Sequence, residues 1–583
     1  MKQGSQVASA DQSHLDGIEL RLSAVKIVGF RGLDVEIPFA GPLCLITGAN
    51  NAGKSSVIDA LRAVVLPFSG QNGKHWITPT DFTRVPDGQA PVTELTITIT
   101  IDEIGTKHRG QLISVLAPSA GSDAARITLR AEIDDAGRIK TSIYGGDLDH
   151  GDVESIARES IRFVYLPPLR DAVGDLKPGY GNKLQGLVST FAPAGHTDRE
   201  EIANIAKKMN AMLADVDAIT KSANAVQSRL RGITGGGPYE HQSSLQFADP
   251  QYERIVNTLQ ALAGKSSVHH LRENGLGYNN LLYIAVLLAA IETDETVPLN
   301  VLLVEEPEAH LHPQLQSLLM EYLEEQSGGR TQVIATTHSA QFASSAQIER
   351  ITTLHRRDPV VSPSAHSLAR AELSAKNSRH LRRFLDVTKS AMLFSEAVIL
   401  VEGVAEQLVV PALAQRMQKQ LSQAGVSVVA VDGVSFEPFI RLFGEAGLPT
   451  RCVVVSDSDP KMLENGRWSE QSMTATKLLG YGAGTVSVEL ATKTFEWDLA
   501  YNNYDSRTLL EDALIEVHPR VGKRLKNESF DTPDEFADAI LDAVENDKGA
   551  FAQALADQLI DHPTEYFQVP LYLRNAIVWV TSP

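Results

Sequence analysis

Cysteine, aromatic residues and long apolar runs are all scarce in this sequence. Two of its 583 residues are cysteine, and aromatic residues make up 6% of the chain. Two cysteines cannot build a disulfide framework or a zinc module of paired Cys-X-X-Cys segments, and this usage suits a reducing cytoplasm. Apolar stretches such as Leu281–Ile291 are shorter than the roughly 18–20 residues that a membrane span needs. We therefore expect a cytoplasmic protein with no membrane association.

Basic residues are also in deficit. Lys and Arg number 53 against 72 Asp and Glu, which gives a formal net charge of −19. This balance argues against a protein that coats nucleic acid by bulk positive charge, although a local basic groove stays possible. Residues 390–583 hold 28 acidic and 15 basic side chains, so their net charge of −13 is most of the total. The excess of acid is therefore concentrated in the last third of the chain.

What is present is an ordinary globular composition, with 43% hydrophobic and 21% charged residues. The length predicts about three or four domains. A polar segment, residues 1–17, is expected to be a flexible leader. Strand patterns with turns follow over 18–168, helical spacing dominates 169–269, and strands alternate with helices over 270–380 and again over 390–583. These boundaries predict an α/β protein whose first domain is interrupted by a helical insertion.

The strongest motif is Gly48-Ala-Asn-Asn-Ala-Gly-Lys54-Ser55, which follows an apolar strand and precedes a helical pattern. It matches the phosphate-binding P-loop, where backbone N–H groups cradle phosphates, the lysine reaches the β and γ phosphates, and the serine coordinates Mg²⁺. The predicted nucleotide-binding residues are Gly48, Asn50, Asn51, Gly53, Lys54, Ser55 and Ser56.

Two later strands predict the rest of an ATPase site. An apolar run ends in Glu305-Glu306. This is typical of P-loop ATPases, where the first carboxylate lies beside Mg²⁺ and the second polarises the attacking water. A second apolar run ends in His338, where a sensor of the γ-phosphate is expected. The pair His310 and His312 with Glu308 also permits a metal site, but loop packing is the favoured interpretation.

With Gly29-Phe-Arg-Gly32 before the P-loop, these motifs resemble the ATP-binding-cassette (ABC) ATPases of DNA maintenance, which include RecF-like and chromosome-maintenance proteins. The resemblance implies that Gly275 and Gly277 belong to a degenerate signature loop that meets ATP across a dimer interface. Glu305 stands where the family usually has Asp, and the signature lacks Ser-Gly-Gly. Both departures predict a slow or regulatory ATPase.

Acidic residues recur at strand ends in the last third of the chain. Glu402 ends an apolar strand, Glu406 follows one helical turn later, and Asp457 and Asp459 follow another apolar strand. If the helix starts near Gly403, the two glutamates face one cleft, and the two aspartates, at i and i+2, are expected on one side of their strand. Oxygen ligands of this kind suit Mg²⁺ or Mn²⁺.

This arrangement resembles a Toprim domain, with a Rossmann-like parallel sheet. Its order after an interrupted P-loop ATPase resembles the OLD (overcoming lysogenisation defect) family of ATP-dependent nucleases, which includes the nuclease subunit of Gabija anti-phage systems. The resemblance implies two divalent ions in the Toprim site and one Mg²⁺ with ATP. It also implies that Glu496 and, more weakly, Asp498 are metal ligands, and that Lys548 stabilises charge at the scissile phosphate.

The family resemblance further implies DNA as substrate, dimerisation through the insertion at 169–269, possible tetramers, and a possible helicase-like partner. A topoisomerase would need a nucleophilic tyrosine on a separate DNA-gate domain, which is not apparent. A primase would need a zinc module, which two cysteines cannot build. The main alternative is a DNA-clamping or scaffold ATPase with a non-catalytic Toprim domain.

Overall fold

A computed structural model describes residues 20–582 except 66–76, 87, 89, 122, 149–151, 169–173, 175, 180, 181, 235–240, 247, 248, 265, 266, 294, 359, 372, 434 and 461–470. The predicted leader, 1–17, lies outside the described residues. The chain divides into two compact units. The first holds the described parts of 1–165, 301–308 and 313–583, and the second holds those of 166–300 and 309–312.

The chain starts with an antiparallel sheet of five strands in the order β2-β1-β4-β5-β6. Its strands are β1 (Arg21–Phe30), β2 (Leu33–Pro38), β4 (Glu94–Asp102), β5 (Ala125–Ile133) and β6 (Ile139–Gly145). In β4, the sequence ELTITITID places every second side chain in the core, as an antiparallel sheet with one covered face requires. Helices α1 (Lys54–Val65), α2 (Thr106–Arg109) and α3 (Ser155–Glu159) accompany these strands.

A second sheet of six strands carries the P-loop, in the order β13-β12-β3-β11-β10-β7. Its strands are β3 (Leu43–Gly48), β7 (Ile161–Leu166), β10 (Leu299–Glu305), β11 (Thr331–Thr336), β12 (Ile351–His355) and β13 (Ser364–Ser367). β3 is buried throughout and pairs in parallel with β11 and β12. Because parallel strands end at the same edge, the loops after β3 and β11 meet there.

The second unit is mainly helical. Its elements are α4 (Lys183–Phe191), α5 (Thr197–Ala214), α6 (Asp217–Thr234), α7 (Tyr252–Val256), β8 (Leu262–Ala263), β9 (His269–His270) and α8 (Leu276–Thr293). Helical spacing does not continue to the end of 169–269, because α7 ends at Val256 and Leu262–Ala263 pairs with His269–His270.

Helix α8 is long and apolar enough to cross a membrane by length and composition alone. The estimate from Leu281–Ile291 is therefore too short, since the helix extends to Leu276 and Thr293. Eight of its side chains are buried in the protein, as in the core helix of a folded domain. Length and composition at α8 are therefore weak indicators of a membrane span.

Four helices continue the first unit: α9 (Pro313–Gln326), α10 (Ala340–Ser345), α11 (Ala375–Phe384) and α12 (Val387–Ser390). A fully parallel sheet follows, in the order β15-β14-β16-β17. Its strands are β14 (Ala397–Val401), β15 (Val426–Ala430), β16 (Arg451–Ser456) and β17 (Val486–Leu490). This is the predicted Rossmann-like parallel sheet.

Helices accompany these strands, and most of them share one core with the sheet. They are α13 (Val404–Arg416), α14 (Glu437–Ile440), α15 (Met473–Leu479), α16 (Phe495–Asn502), α17 (Thr508–Val517), α18 (Pro519–Lys526), α19 (Pro533–Val544), α20 (Lys548–Asp561) and α21 (Leu571–Thr581). Five buried residues of β14 form the centre of the sheet, which explains its unbroken apolar sequence AVILV.

Candidate functional site

The P-loop joins β3 to α1 and is shaped by two glycines. Gly48 and Gly53 have φ values of +145° and +102°, and a Cβ atom would lie 2.4 Å from the Leu354 carbonyl oxygen and 2.8 Å from a Leu33 methyl group, respectively. Asn51 also has positive φ, and Asn50 is exposed at the tip. Only glycine fits both close approaches, so the loop backbone is held as a phosphate cradle requires.

Lys54 is 5% exposed and donates hydrogen bonds from Nζ to the carbonyl oxygens of Gly48 and Ala49, at 2.6 and 2.8 Å. Burial lowers its pKa to about 8, although the charges of Glu306 and Glu308 oppose this. The ammonium group is thus buried at the cradle with neutral carbonyl partners. An anion such as a phosphate fits this environment.

Ser55 and Glu305, predicted from separate parts of the sequence, are hydrogen bonded to each other. Glu305 is 5% exposed, and its carboxylate also accepts a hydrogen bond from the Tyr165 hydroxyl at 2.9 Å. Burial raises the pKa of Glu305. A serine hydroxyl beside a buried carboxylate is the donor set that holds Mg²⁺ with a nucleotide in P-loop proteins. Ser56 follows in the first turn of α1.

The other two predicted ATPase residues also meet. The backbone N–H of Glu306, whose φ is +43°, donates to the carbonyl of Thr336 at the end of β11. This brings the Glu306 carboxylate to 3.3 Å from His338 Nε2. Burial, together with the charge of Lys54, lowers the pKa of His338 and favours a neutral imidazole.

Glu308 is a site residue whose role the sequence does not reveal. Its carboxylate accepts hydrogen bonds from the Thr337 hydroxyl at 2.6 Å and from the His338 backbone N–H at 3.0 Å. It therefore fixes the turn that carries His338. The sequence signals are its position two residues after Glu306 and its proximity to His310 and His312.

Gly275 and Gly277 lie in the second unit, at the start of α8. A Cβ atom on Gly277 would lie 2.7 Å from the His310 carbonyl oxygen, whereas one on Gly275 would meet nothing within 4 Å. Gly277 thus permits close packing against the loop that carries His310. The contact of either glycine with ATP stays a prediction.

The acidic residues of the last third gather at the carboxyl edge of the parallel sheet. Helix α13 starts at Val404 after Gly403, as predicted, and Glu402 lies at the tip of β14. The Glu402 carboxylate accepts hydrogen bonds from the Ser456 hydroxyl and the Asp457 backbone N–H, which join the ends of β14 and β16. Glu406 accepts one from the Gly403 N–H.

Electrostatic coupling identifies the members of this acid cluster. Burial, and then the charges of Glu402, Glu406, Glu496 and Asp459, raise the pKa of Asp457 to about 9. Burial, and then Glu402 and Glu496, raise the pKa of Glu406 to about 7. We define the acid cluster as these five residues: Glu402, Glu406, Asp457, Asp459 and Glu496.

The positions of the two aspartates differ from the strand-based expectation. β16 ends at Ser456, so Asp457 and Asp459 lie beyond it, and Asp459 has a φ of +42°. Alternation along a strand therefore does not place them together. Asp459 is exposed, and its N–H donates to the Lys493 carbonyl at 3.3 Å, which holds this turn beside the loop after β17.

Lys548 and Asp498 have different relations to the acid cluster. Lys548 Nζ donates to the Glu496 carboxylate at 2.9 Å. Burial would lower the pKa of Lys548, but this ion pair raises it. Asp498 is 2% exposed, and its two oxygens accept the N–H groups of Thr492 and Lys493. Asp498 is thus occupied in shaping the loop after β17.

Among the described residues, no three His, Cys, Asp or Glu side chains have the spacing of a formed metal centre. The acid cluster nevertheless fits a divalent cation in its chemistry. Its five carboxylates supply oxygen ligands. Lys548 is paired with one of them, Glu496. A cation would relieve the repulsion that raises the pKa of Asp457.

Comparisons with known proteins identify an ATPase part and a TOPRIM part of the chain. Residues 20–99 match an AAA domain and 177–343 an AAA ATPase domain, and 393–459 match the Overcoming lysogenization defect protein-like TOPRIM domain. The chain therefore carries AAA ATPase and OLD-like TOPRIM domains, and the predicted family resemblance and fold class are confirmed.

Three nuclease relatives match over 65–82% of this chain. The Old nuclease of Escherichia phage P2 is 25% identical over 82% of this chain and 85% of its own length. The OLD nuclease of Thermus scotoductus is 24% identical over 75% and 82%, and the endonuclease GajA of Bacillus cereus HuB5-5 is 22% identical over 65% and 63%. Among solved structures, the C-terminal region of the Xanthomonas campestris OLD protein is 26% identical, covering 33% of this chain and 94% of its own, with a TM-score of 0.26.

Proposed function

We propose that this chain, which joins an AAA ATPase domain to an OLD-like TOPRIM domain, is an ATP-regulated, metal-dependent DNA endonuclease. The observation that carries the proposal is the acid cluster at the carboxyl edge of a parallel sheet, in the same compact unit as the P-loop. The nuclease names of the relatives support it. An anti-phage or DNA-maintenance role is consistent with these relatives.

In this proposal the acid cluster holds two Mg²⁺ or Mn²⁺ ions. When bound, these ions supply a nucleophilic water, stabilise the leaving 3′ oxygen and neutralise phosphate charge. Glu402 is oriented for this role by the Ser456 hydroxyl and the Asp457 N–H, and Glu406 by the Gly403 N–H. Asp498 shapes the loop behind Glu496, so its contribution to metal binding is expected to be indirect.

Lys548 is the basic residue proposed to act on the substrate. Its ammonium group is 2.9 Å from Glu496, and its side chain is 40% exposed, so it is close to the acids and open to a phosphate. There it would offset the negative charge that develops on the phosphate during cleavage.

The ATP site is proposed to control cleavage. Lys54 and the P-loop backbone would bind the phosphates, Ser55 and Glu305 the Mg²⁺, and Glu306 would orient a water with His338 beside it. Gly275 and Gly277 are proposed to complete this site from a second subunit.

A route of direct contacts supports regulation by ATP. Ser339 caps α10 immediately after His338, and the first residue of α10, Ala340, accepts a hydrogen bond from the Ser390 hydroxyl through its carbonyl. The neighbouring Lys389, 5% exposed, donates to Asp432 at 2.7 Å. The next residue, Gly433, donates its N–H to the Glu402 carbonyl. A shift at His338 can therefore reach Glu402 through packed groups.

Assembly forms part of the proposal. Helices α5 and α6 expose large apolar side chains, including Met212 at 74% and Ile233 at 83%. A homodimer through this insertion, or a tetramer, would cover them, and Met212→Glu should shift the mass measured by light scattering toward the monomer. A helicase-like partner and a cytoplasmic location remain proposals drawn from the family.

The deciding experiment is cleavage of supercoiled and linear DNA with Mg²⁺ or Mn²⁺, with and without ATP. Glu402→Gln should abolish metal-dependent nicking while ATP binding is retained. Glu445→Gln is the matched control, because Glu445 is an exposed acid of the same domain outside the acid cluster. Nicking that survives Glu402→Gln, or wild-type protein that binds DNA without cleaving it, would favour a clamping or scaffold ATPase instead.

A further inference from the structure

Tyr572, in the first turn of α21, has a buried hydroxyl group with no hydrogen-bond partner among the described residues. The residue is 7% exposed, and its oxygen is among the buried polar atoms without a partner in the described structure. Buried hydroxyls are nearly always hydrogen bonded, because removal from water without a new partner costs free energy. A buried donor of this kind is available to a water molecule or to an acceptor that approaches it in another state of the protein.

The direction of α21 places this hydroxyl at the edge of the sheet that carries the acid cluster. Arg451, at the start of β16, donates to the carbonyls of Trp579 and Ser582 at the end of the helix. Asn575 donates to Glu489, near the end of β17. The helix is therefore antiparallel to the strands. With a rise of 1.5 Å per residue, Tyr572 lies about 4.5 Å beyond Asn575, toward the carboxyl edge.

The electrostatic environment agrees with this position. Burial, and then the charges of Asp498, Asp457, Glu406 and Glu496, raise the pKa of the Tyr572 phenol. The hydroxyl therefore stays protonated and offers its hydrogen to an acceptor among these acids. Three of the four belong to the acid cluster.

Among the residues that the structure describes, Asp457 and Asp459 are the two members of the acid cluster whose carboxylates accept no hydrogen bond, and of these two Asp459 is exposed to water. Glu402 accepts from Ser456 and Asp457, Glu406 from Gly403, and Glu496 from Lys548. In the described part of the chain, no hydrogen bond to the Asp457 carboxylate is present, although the charges of the other acids act on it. A buried donor and a carboxylate in need of one thus belong to the same site.

We propose that Tyr572 is a positioning residue of the nuclease site, whose hydroxyl donates to Asp457, directly or through one water, when a divalent cation is bound. The hydrogen bond orients the carboxylate toward the cation and does not contact the phosphate. Partners of this kind orient metal ligands in many metal sites. The inference rests on the proposed function, because it assumes that the acid cluster binds a divalent cation.

Tyr572→Phe removes only the hydroxyl and tests this role. The free Mn²⁺ concentration, measured by electron paramagnetic resonance during titration of the full chain, should reveal about 10- to 100-fold weaker binding. In EDTA the variant should melt at the same temperature as wild type or higher, because it lacks an unpaired buried hydroxyl. An unchanged Mn²⁺ affinity would overturn the assignment.

Tyr504→Phe is the matched control. The Tyr504 hydroxyl donates to the Phe530 carbonyl in the same domain, so its removal should lower stability without changing Mn²⁺ affinity. An equal loss of Mn²⁺ binding in both variants would also overturn the proposal, since the effect would then be structural.

The two proposals fail in different ways. If wild type binds Mn²⁺, loses it in Glu402→Gln and still cannot cleave DNA, the nuclease function fails while the role of Tyr572 stands. If Tyr572→Phe binds Mn²⁺ and cleaves DNA as wild type does, the role of Tyr572 fails while the nuclease function stands. Absence of Mn²⁺ binding by the wild type would overturn both.

Discussion

Asp457→Asn should stabilise the metal-free protein, because it removes the charge that the acid cluster tolerates least. The pKa of Asp457 is raised to about 9 by burial and by four neighbouring acids. In the unfolded chain an aspartate ionises near pH 4. Above that pH, folding must either protonate Asp457 or retain a repelled charge. Asp457 therefore costs the folded state nothing below about pH 4, and the free energy of unfolding falls as the pH rises from 4 toward 9.

The expected magnitude follows from this range. Each pH unit between the unfolded and folded pKa values costs about 1.4 kcal/mol, so the ceiling at pH 7 is roughly 4 kcal/mol. Water reaches part of the side chain, and asparagine still buries a polar amide. We therefore expect a gain of about 2 kcal/mol in the free energy of unfolding at pH 7, less at pH 5 and more at pH 8.

Thermal unfolding in EDTA, followed by tryptophan fluorescence, measures this effect. Three of the four tryptophans, Trp468, Trp497 and Trp579, lie in the last third of the chain, so the signal reports mainly on that domain. A gain of this size corresponds to a rise of about 4–8 °C in its melting temperature. Mg²⁺ should stabilise wild type and not Asp457→Asn, and Glu445→Gln should behave as wild type.

Two results would refute the reasoning. One is an Asp457→Asn variant that is no more stable than wild type in EDTA at pH 8. The other is a gain that does not increase between pH 5 and pH 8. Either would mean that the acids do not repel one another strongly enough to favour a cation.

Three further predictions test the other parts of the site. Lys548→Met should slow DNA cleavage by about 100-fold while Mn²⁺ affinity is retained, as measured by single-turnover kinetics and Mn²⁺ titration; equal cleavage would remove Lys548 from the mechanism. Lys54→Ala should abolish binding of a fluorescent ATP analogue and the response of cleavage to ATP, while metal-dependent cleavage without ATP persists; an unchanged ATP response would exclude the P-loop as the control element. Lys389→Met should leave ATP binding intact but bring the ratio of cleavage rates with and without ATP toward one, whereas Lys477→Met, at a lysine that is 65% exposed, should not; a wild-type ratio in Lys389→Met would exclude this route.

The ATP site is the part that sequence patterns predict best. Gly48, Lys54, Ser55, Glu305, Glu306 and His338 each follow an apolar strand at a spacing that local chemistry demands. The strands β3, β10 and β11 end at one edge of the same sheet. The motifs at their ends are therefore predicted to lie close together. Glu308 and Tyr165 escape this logic, since their contacts with His338 and Glu305 depend on the exact path of the loops.

The acidic residues of the last third also differ in how well the sequence predicts their positions. Glu402 and Glu406 are predictable because one strand and one helical turn fix their separation. Asp457 and Asp459 are brought together by a turn with positive φ rather than by strand alternation. Asp498, which resembles a ligand in sequence, has its oxygens occupied by backbone N–H groups that only folding brings near.

The sequence by itself therefore determined the two kinds of domain, their order, and most of the side chains that carry charge to each site. These depend on periodicity and on spacings of a few residues, which the chain encodes locally. Only the tertiary structure decided which acids repel one another, which carboxylate is already occupied, and that the buried Tyr572 hydroxyl has no partner among the described residues. Those properties depend on burial and on distances between residues far apart in the chain, as with Tyr572 and Asp457, which are brought to one edge by the packing of α21 on the sheet.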